Sequence, residues 1–135
     1  MKATLLALAV LLVPGAAAAQ SPEPPTARPP QSTIEGRYLV EGRIPGQDRN
    51  YDGEAVVKRT GQTFTVAWRI GNSTHVGTGI LLDNKLTVVY QAVGSGGRPG
   101  IVIFDVRDDR IGEGVWTELG LQAVGTENWT AADRP

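Results

Sequence analysis

Thr63-Phe64-Thr65-Val66-Ala67-Trp68-Arg69-Ile70 decides the fold class. Phe64, Val66, Trp68 and Ile70 fall on one face while Thr63, Thr65 and Arg69 fall on the other, a period of two that belongs to a half-buried strand and excludes helix. Outward from this stretch, β-branched or aromatic runs recur at residues 38–42, 54–59, 75–82, 85–91, 101–107, 111–118 and 122–129. Together with 63–70 they make eight strands.

The connections carry turn chemistry. Thr60-Gly61, Gly71-Asn72, Asp83-Asn84, Asp108-Asp109 and Leu119-Gly120 supply residues that tolerate positive φ or form Asx turns. Loops this short join antiparallel neighbours, because a parallel pair needs a crossover of about a dozen residues. The expected topology is therefore an up-and-down meander. Two connections are longer, 43–50 and 92–99, and the second contains Gly94-Ser95-Gly96-Gly97-Arg98-Pro99, expected to be mobile.

Glycines inside the strands carry the next step. Gly77 with Gly79, Gly112 with Gly114, and the single Gly53 and Gly125 weaken flat strands, so their recurrence points to bends or bulges that let a sheet coil. A meander that closes has no free edge. The expectation is an all-β, closed eight-stranded barrel over residues 34–130, with a two-layer sandwich left open as the alternative.

Upstream, Lys2 gives a positive n-region, residues 5–13 an apolar h-region and Ala17-Ala18-Ala19 a small-residue cleavage site, so residues 1–19 read as a signal peptide. The apolar run stops at Pro14-Gly15, far short of the roughly 20 residues of a membrane span. Residues 20–33 hold Pro22, Pro24, Pro25, Pro29 and Pro30 with little to bury and read as a disordered linker; residues 131–135 read as a disordered tail. No membrane span is expected after cleavage. The chain has no cysteine, which excludes thiol chemistry and, in an exported protein, fits a bacterial periplasmic or extracellular setting. A net charge of −1 with singly scattered Lys and Arg gives no nucleic-acid surface.

Candidate chemistry is thin. Asp48-Arg49-Asn50-Tyr51-Asp52-Gly53 opens like a calcium-binding EF-hand loop, but the twelfth position is Arg59 and a strand follows, so a polar strand connection is the expected reading. His75 is the single histidine, too few for a catalytic zinc site, and is expected at the surface or rim. Asp105, Asp108 and Asp109 gather at a hairpin and Glu113 and Glu118 lie on the next strand, where solvated carboxylates are expected rather than an acid–base pair. These readings predict no catalytic residue, no metal and no cofactor. Seven aromatic residues fall on strands, a number that an ordinary core consumes. Trp68, Tyr90 and Trp116 each end or centre a strand beside a glycine-thinned neighbour, which makes them the candidates for lining an internal pocket.

Gly36-Arg37-Tyr38-Leu39-Val40-Glu41-Gly42, Tyr51-Asp52-Gly53, Thr65-Val66-Ala67-Trp68-Arg69-Ile70-Gly71, Gly77-Thr78-Gly79-Ile80 and Gly112-Glu113-Gly114-Val115-Trp116-Thr117 together resemble small exported proteobacterial proteins often labelled fibronectin-binding protein. That resemblance spans most of the domain and implies a binding role. The architecture also resembles the meander barrels of avidins and lipocalins, which open with Gly-x-Trp; Gly36-Arg37-Tyr38 carries Tyr in place of Trp. Two readings follow, both non-enzymatic and both periplasmic or secreted. In one, an extracellular-matrix or envelope protein is bound through the outer face and Gly94, Ser95, Gly96, Gly97 and Arg98. In the other, a small apolar ligand is carried inside against Trp68, Tyr90 and Trp116.

Overall fold

The computed structural model describes residues 33–94 and 96–132. The signal peptide read at 1–19, most of the linker at 20–33, Ser95 and the last residues of the tail lie outside them. Eight strands run β1 Gly36–Arg43, β2 Asn50–Thr60, β3 Thr63–Ile70, β4 Ser73–Leu82, β5 Lys85–Ala92, β6 Gly100–Arg107, β7 Arg110–Glu118 and β8 Gly125–Ala131. Each pairs antiparallel with the next, and β1 pairs with β8 from Tyr38 opposite Ala131 to Arg43 opposite Thr126. The sheet is a closed barrel, so the sandwich is discarded.

Strand direction sorts the connections by end. At one end Gly61-Gln62, Asp83-Asn84 and Asp108-Asp109 make two-residue turns. Asp83, Asn84, Asp108 and Asp109 all take positive φ, between 49° and 59°, the left-handed pair that matches the twist of the flanking strands. The same end is stoppered by Ile34, which is fully buried and whose carbonyl accepts a 2.8 Å bond from the Tyr38 hydroxyl. At the other end the connections are 44–49, 71–72, 93–99 and 119–124.

The second strand starts at Asn50 rather than at residue 54, and both ends of the last strand differ from expectation. The last strand starts at Gly125 rather than at residue 122 and runs through Ala131. Ala132 then donates its amide to the Arg37 carbonyl at 2.9 Å, so the domain extends past residue 130 into what reads as tail. The cause is the connection after β7: the amide of Leu121 bonds back to the Glu118 carbonyl and the Thr117 hydroxyl donates to the Ala123 carbonyl, holding 119–124 as a third long loop instead of a two-residue turn at Leu119-Gly120.

Inside, the strands alternate as period two requires. Val40, Ala55, Val57, Phe64, Val66, Leu86, Val88, Val102, Phe104 and Ile111 are buried, and Trp129 lies among them with Phe104 at 4.4 Å and Tyr38 at 5.2 Å between ring centroids. Full burial of such side chains contributes about 1.5–3 kcal/mol each. A closed wall leaves limited room, and glycine resolves it. Gly42 is the cross-strand partner of Tyr51, Gly100 of Tyr90, Gly114 of Phe104 and Gly125 of Trp116. In each pair a Cβ on the glycine would overlap the partner's ring, so the ring lies flat over bare backbone. The expected bulge is also present: β7 carries an extra residue opposite Asp105, at Gly112-Glu113, where the register shifts between Phe104 and Val106.

Gly114→Ala is expected to push a methyl group into the Phe104 ring and cost about 1–3 kcal/mol, as overpacking does. A urea midpoint that falls at unchanged slope would show it; an unaltered midpoint would mean that the ring moves aside freely.

Candidate functional site

The end with the longer connections is where the barrel is hollow. A cavity of about 170 Å³ is lined by Tyr51, Trp68, Ile70, His75, Tyr90, Val102, Trp116, Glu118 and Glu127. That volume is comparable to an engineered apolar cavity of about 150 Å³ that takes up benzene. Every lining residue sits on a strand. The wall is thus set by sheet register rather than by loop conformation.

The lining is mainly aromatic. Trp68 and Tyr90 meet at 5.7 Å, Tyr51 and Trp116 at 6.3 Å, and His75 stands edge-on to Tyr90 at 6.0 Å. Three of these rings, Tyr51, Tyr90 and Trp116, are the ones laid over glycines in the neighbouring strand.

Below them lies a carboxylate. Glu127 is 8% exposed and the one buried charged side chain among the described residues. The Tyr51 hydroxyl donates to its Oε1 at 2.8 Å, and the indole N–H groups of Trp129 and Trp68 donate to Oε2 at 2.7 and 3.3 Å. Burial raises the Glu127 carboxyl above the ordinary 4.5, and the bonds from Trp129, Tyr51 and Trp68 offset part of that rise. The Tyr51 phenol is pushed up by its own burial and then by the charge of Glu127, which fixes it as a donor. Tyr90 is pushed up by burial, then by Glu118 and Glu127.

Two polar atoms of the lining have no partner. His75 Nδ1 and Trp116 Nε1 are buried without a hydrogen bond. The Trp116 N–H stands near enough to the Tyr51 hydroxyl to pull its pKa slightly down, yet no acceptor meets hydrogen-bond geometry. An unpaired buried donor costs about 1–3 kcal/mol, so each such atom in a native fold calls for a partner, whether water, ion or ligand.

Trp68, Tyr90 and Trp116, the pocket candidates read from the sequence, all line this one cavity. Gly94, Gly96, Gly97 and Arg98 lie in the β5–β6 connection at the same end, with Gly94 and Gly96 at φ of 104° and 42°. Ser95 is outside the described residues. Both flanks of this connection are tied down, since the Val93 amide bonds to the Thr74 carbonyl and the Leu119 amide to the Pro99 carbonyl, each at 2.8 Å.

Sequence reading missed Tyr51, His75, Glu118 and Glu127 as site residues. Tyr51 was hidden inside the calcium-like motif, whose Asn50-Tyr51-Asp52-Gly53 is in fact the start of β2, with Tyr51 turned inward and Asp52 exposed. His75, expected at the surface or rim, is the third residue of β4 at the open end, half-buried in the cavity wall. Glu127 had a signal: two residues before Trp129 and two after Gly125, it shares their inward face. The other acidic candidates face solvent. Asp105 pairs with Lys85, which lowers its carboxyl pKa, and Asp108 and Asp109 form the turn. Among the described residues no group of three or more His, Asp or Glu is placed to hold a metal ion. No protein-family model matches the chain, and no curated protein matches it.

The Glu127 carboxyl gives a pH test. The folded state holds its proton more tightly than the unfolded chain does, so it favours folding below about 4.5, and that contribution is lost as pH rises through the raised folded value. Glu127→Gln keeps an oxygen for both indoles and offers its amide to Tyr51. The variant is expected to gain stability over the parent as pH rises above 4.5, with the difference vanishing in acid. Urea midpoints taken across that range decide it; parallel profiles would mean that the carboxyl is not desolvated.

Proposed function

We propose that the protein is a non-enzymatic binding protein of the periplasm or cell exterior, and that its primary site is the open-end cavity, which takes up a small, largely apolar ligand. The observation that carries this reading is the pair of unpartnered buried atoms, His75 Nδ1 and Trp116 Nε1, in an aromatic-walled hollow built wholly on strands. An ordinary core would have filled the space and paired or excluded those atoms. The site offers bodies to pack against and a few directed polar groups, the usual make-up of a small-molecule pocket. The leader at 1–19 supports the compartment.

Binding is expected to shift the fluorescence of Trp68 and Trp116 when a hydrophobic probe is added, and Trp116→Ala is expected to weaken probe binding by about tenfold or more. Native mass spectrometry of gently purified protein should show an adduct. Unchanged fluorescence together with a bare mass would remove the carrier reading.

A second reading is favoured by the outer wall. Val76, Ile80, Val89, Ile101, Ile103 and Val115 are exposed on β4 to β7, with Val89 directly opposite Ile101 and Ile103 opposite Val115. By contrast β1 to β3 present Arg37, Glu41, Glu54, Lys58 and Arg69. An outer face on which Val89, Ile101, Ile103 and Val115 adjoin suits an extracellular-matrix or envelope protein as partner, with the 94–98 loop as the second contact. Deleting residues 94–97 is expected to abolish capture by immobilised fibronectin while leaving the circular dichroism unchanged; capture that survives the deletion would discard this reading.

A further inference from the structure

The charge of the cavity narrows what enters it. Its lining holds two carboxylates, Glu118 and Glu127, and neither lysine nor arginine. Arg98, the basic residue of the nearby loop, is exposed beside Gly120 and is not part of the lining. Glu127 is held by three donors, and all three are neutral: a phenol and two indoles. They satisfy its lone pairs without supplying a counter-charge. The field reaches across the hollow, since both carboxylates act on the Tyr90 hydroxyl.

The walls add a second preference. Trp68, Tyr90, Tyr51 and Trp116 surround a space small enough that an occupant must touch several rings at once. Ring faces carry partial negative charge and attract a cation, most strongly where water is excluded. Carboxylates and ring faces therefore ask for the same sign. An anionic ligand would meet both carboxylates unshielded, and a plain hydrocarbon would leave Trp116 Nε1 and His75 Nδ1 unpaired.

We infer that the ligand of the cavity is a compact organic cation, an ammonium group bearing small alkyl substituents and one hydrogen-bonding group, caged by Tyr51, Trp68, Tyr90 and Trp116 between Glu118 and Glu127. This deepens the carrier reading and rests on it. In the cage the cation lies against the rings and supplies the charge that Glu127 lacks. The hydrogen-bonding group of the ligand meets the Trp116 N–H, with His75 Nδ1 as the second polar contact.

Calorimetric titration of the purified protein with choline, and separately with its tert-butyl analogue in which carbon replaces the charged nitrogen, tests this directly. The two probes have the same shape and the same hydroxyl and differ in charge. Choline is expected to bind at least about tenfold more tightly, and Glu118→Gln, at the half-exposed rim, is expected to weaken choline by about tenfold while leaving the neutral analogue unchanged. Equal or tighter binding of the neutral analogue would overturn the cation assignment and leave the carrier reading standing. Failure of both probes, alongside a positive hydrophobic-probe shift, would overturn it in the same way. Failure of every probe would remove the carrier reading too.

Discussion

The pairing of β1 with β8 is the constraint on which everything else rests. It removes the last free sheet edges and fixes the girth of the wall, so that all inward side chains must share one interior of set width. A flat or open sheet would let a large side chain find space by displacement. A closed one cannot, and size at one inward position is compensated at the next strand. The four pairs of glycine with Tyr51, Tyr90, Phe104 and Trp116 express that rule, each ring lying over the bare backbone of its direct cross-strand neighbour.

The same rule makes the two ends unequal. Toward the tight-turn end, Phe104, Trp129, Tyr38 and Ile34 fill the lumen, and the Tyr38 hydroxyl ties the incoming chain across it. Toward the other end the inward positions hold Gly42, Gly100 and Gly125 at strand termini, and the rings that cover them lean on the wall instead of meeting at the axis. The hollow follows from where the glycines fall. Tyr38 serves as part of the stopper and not of the pocket.

Glu127 is the element that packing alone would not place there. Three donors from β2, β3 and its own strand converge on it, so the carboxylate ties three strands together beneath the cavity while remaining the least well solvated charge among the described residues. Burying a carboxylate of this kind costs solvation that its three neutral donors offset only in part. Leu, similar in bulk, would pack as well but would leave Tyr51 and two indoles without an acceptor.

The sequence by itself determined the strands and their antiparallel order, because alternation of period two and two-residue turns such as Asp83-Asn84 and Asp108-Asp109 are local signals; glycines within strands pointed to closure but left a two-layer sandwich open, and the pairing of β1 with β8 decided it. The sequence also carried three of the cavity residues, Trp68, Tyr90 and Trp116, through their glycine-thinned neighbours. It misplaced the start of β8, since Val124 continues an apolar run while the bonds that hold 119–124 as a loop come from neighbouring chain segments. It did not show that Tyr51, separated from Glu127 by 76 positions, would donate to it, or that His75 would turn into the wall. Only the tertiary structure decided those, because inward side chains of distant strands become neighbours when the register around the barrel is fixed, and register is a property of the closed sheet and not of any one segment.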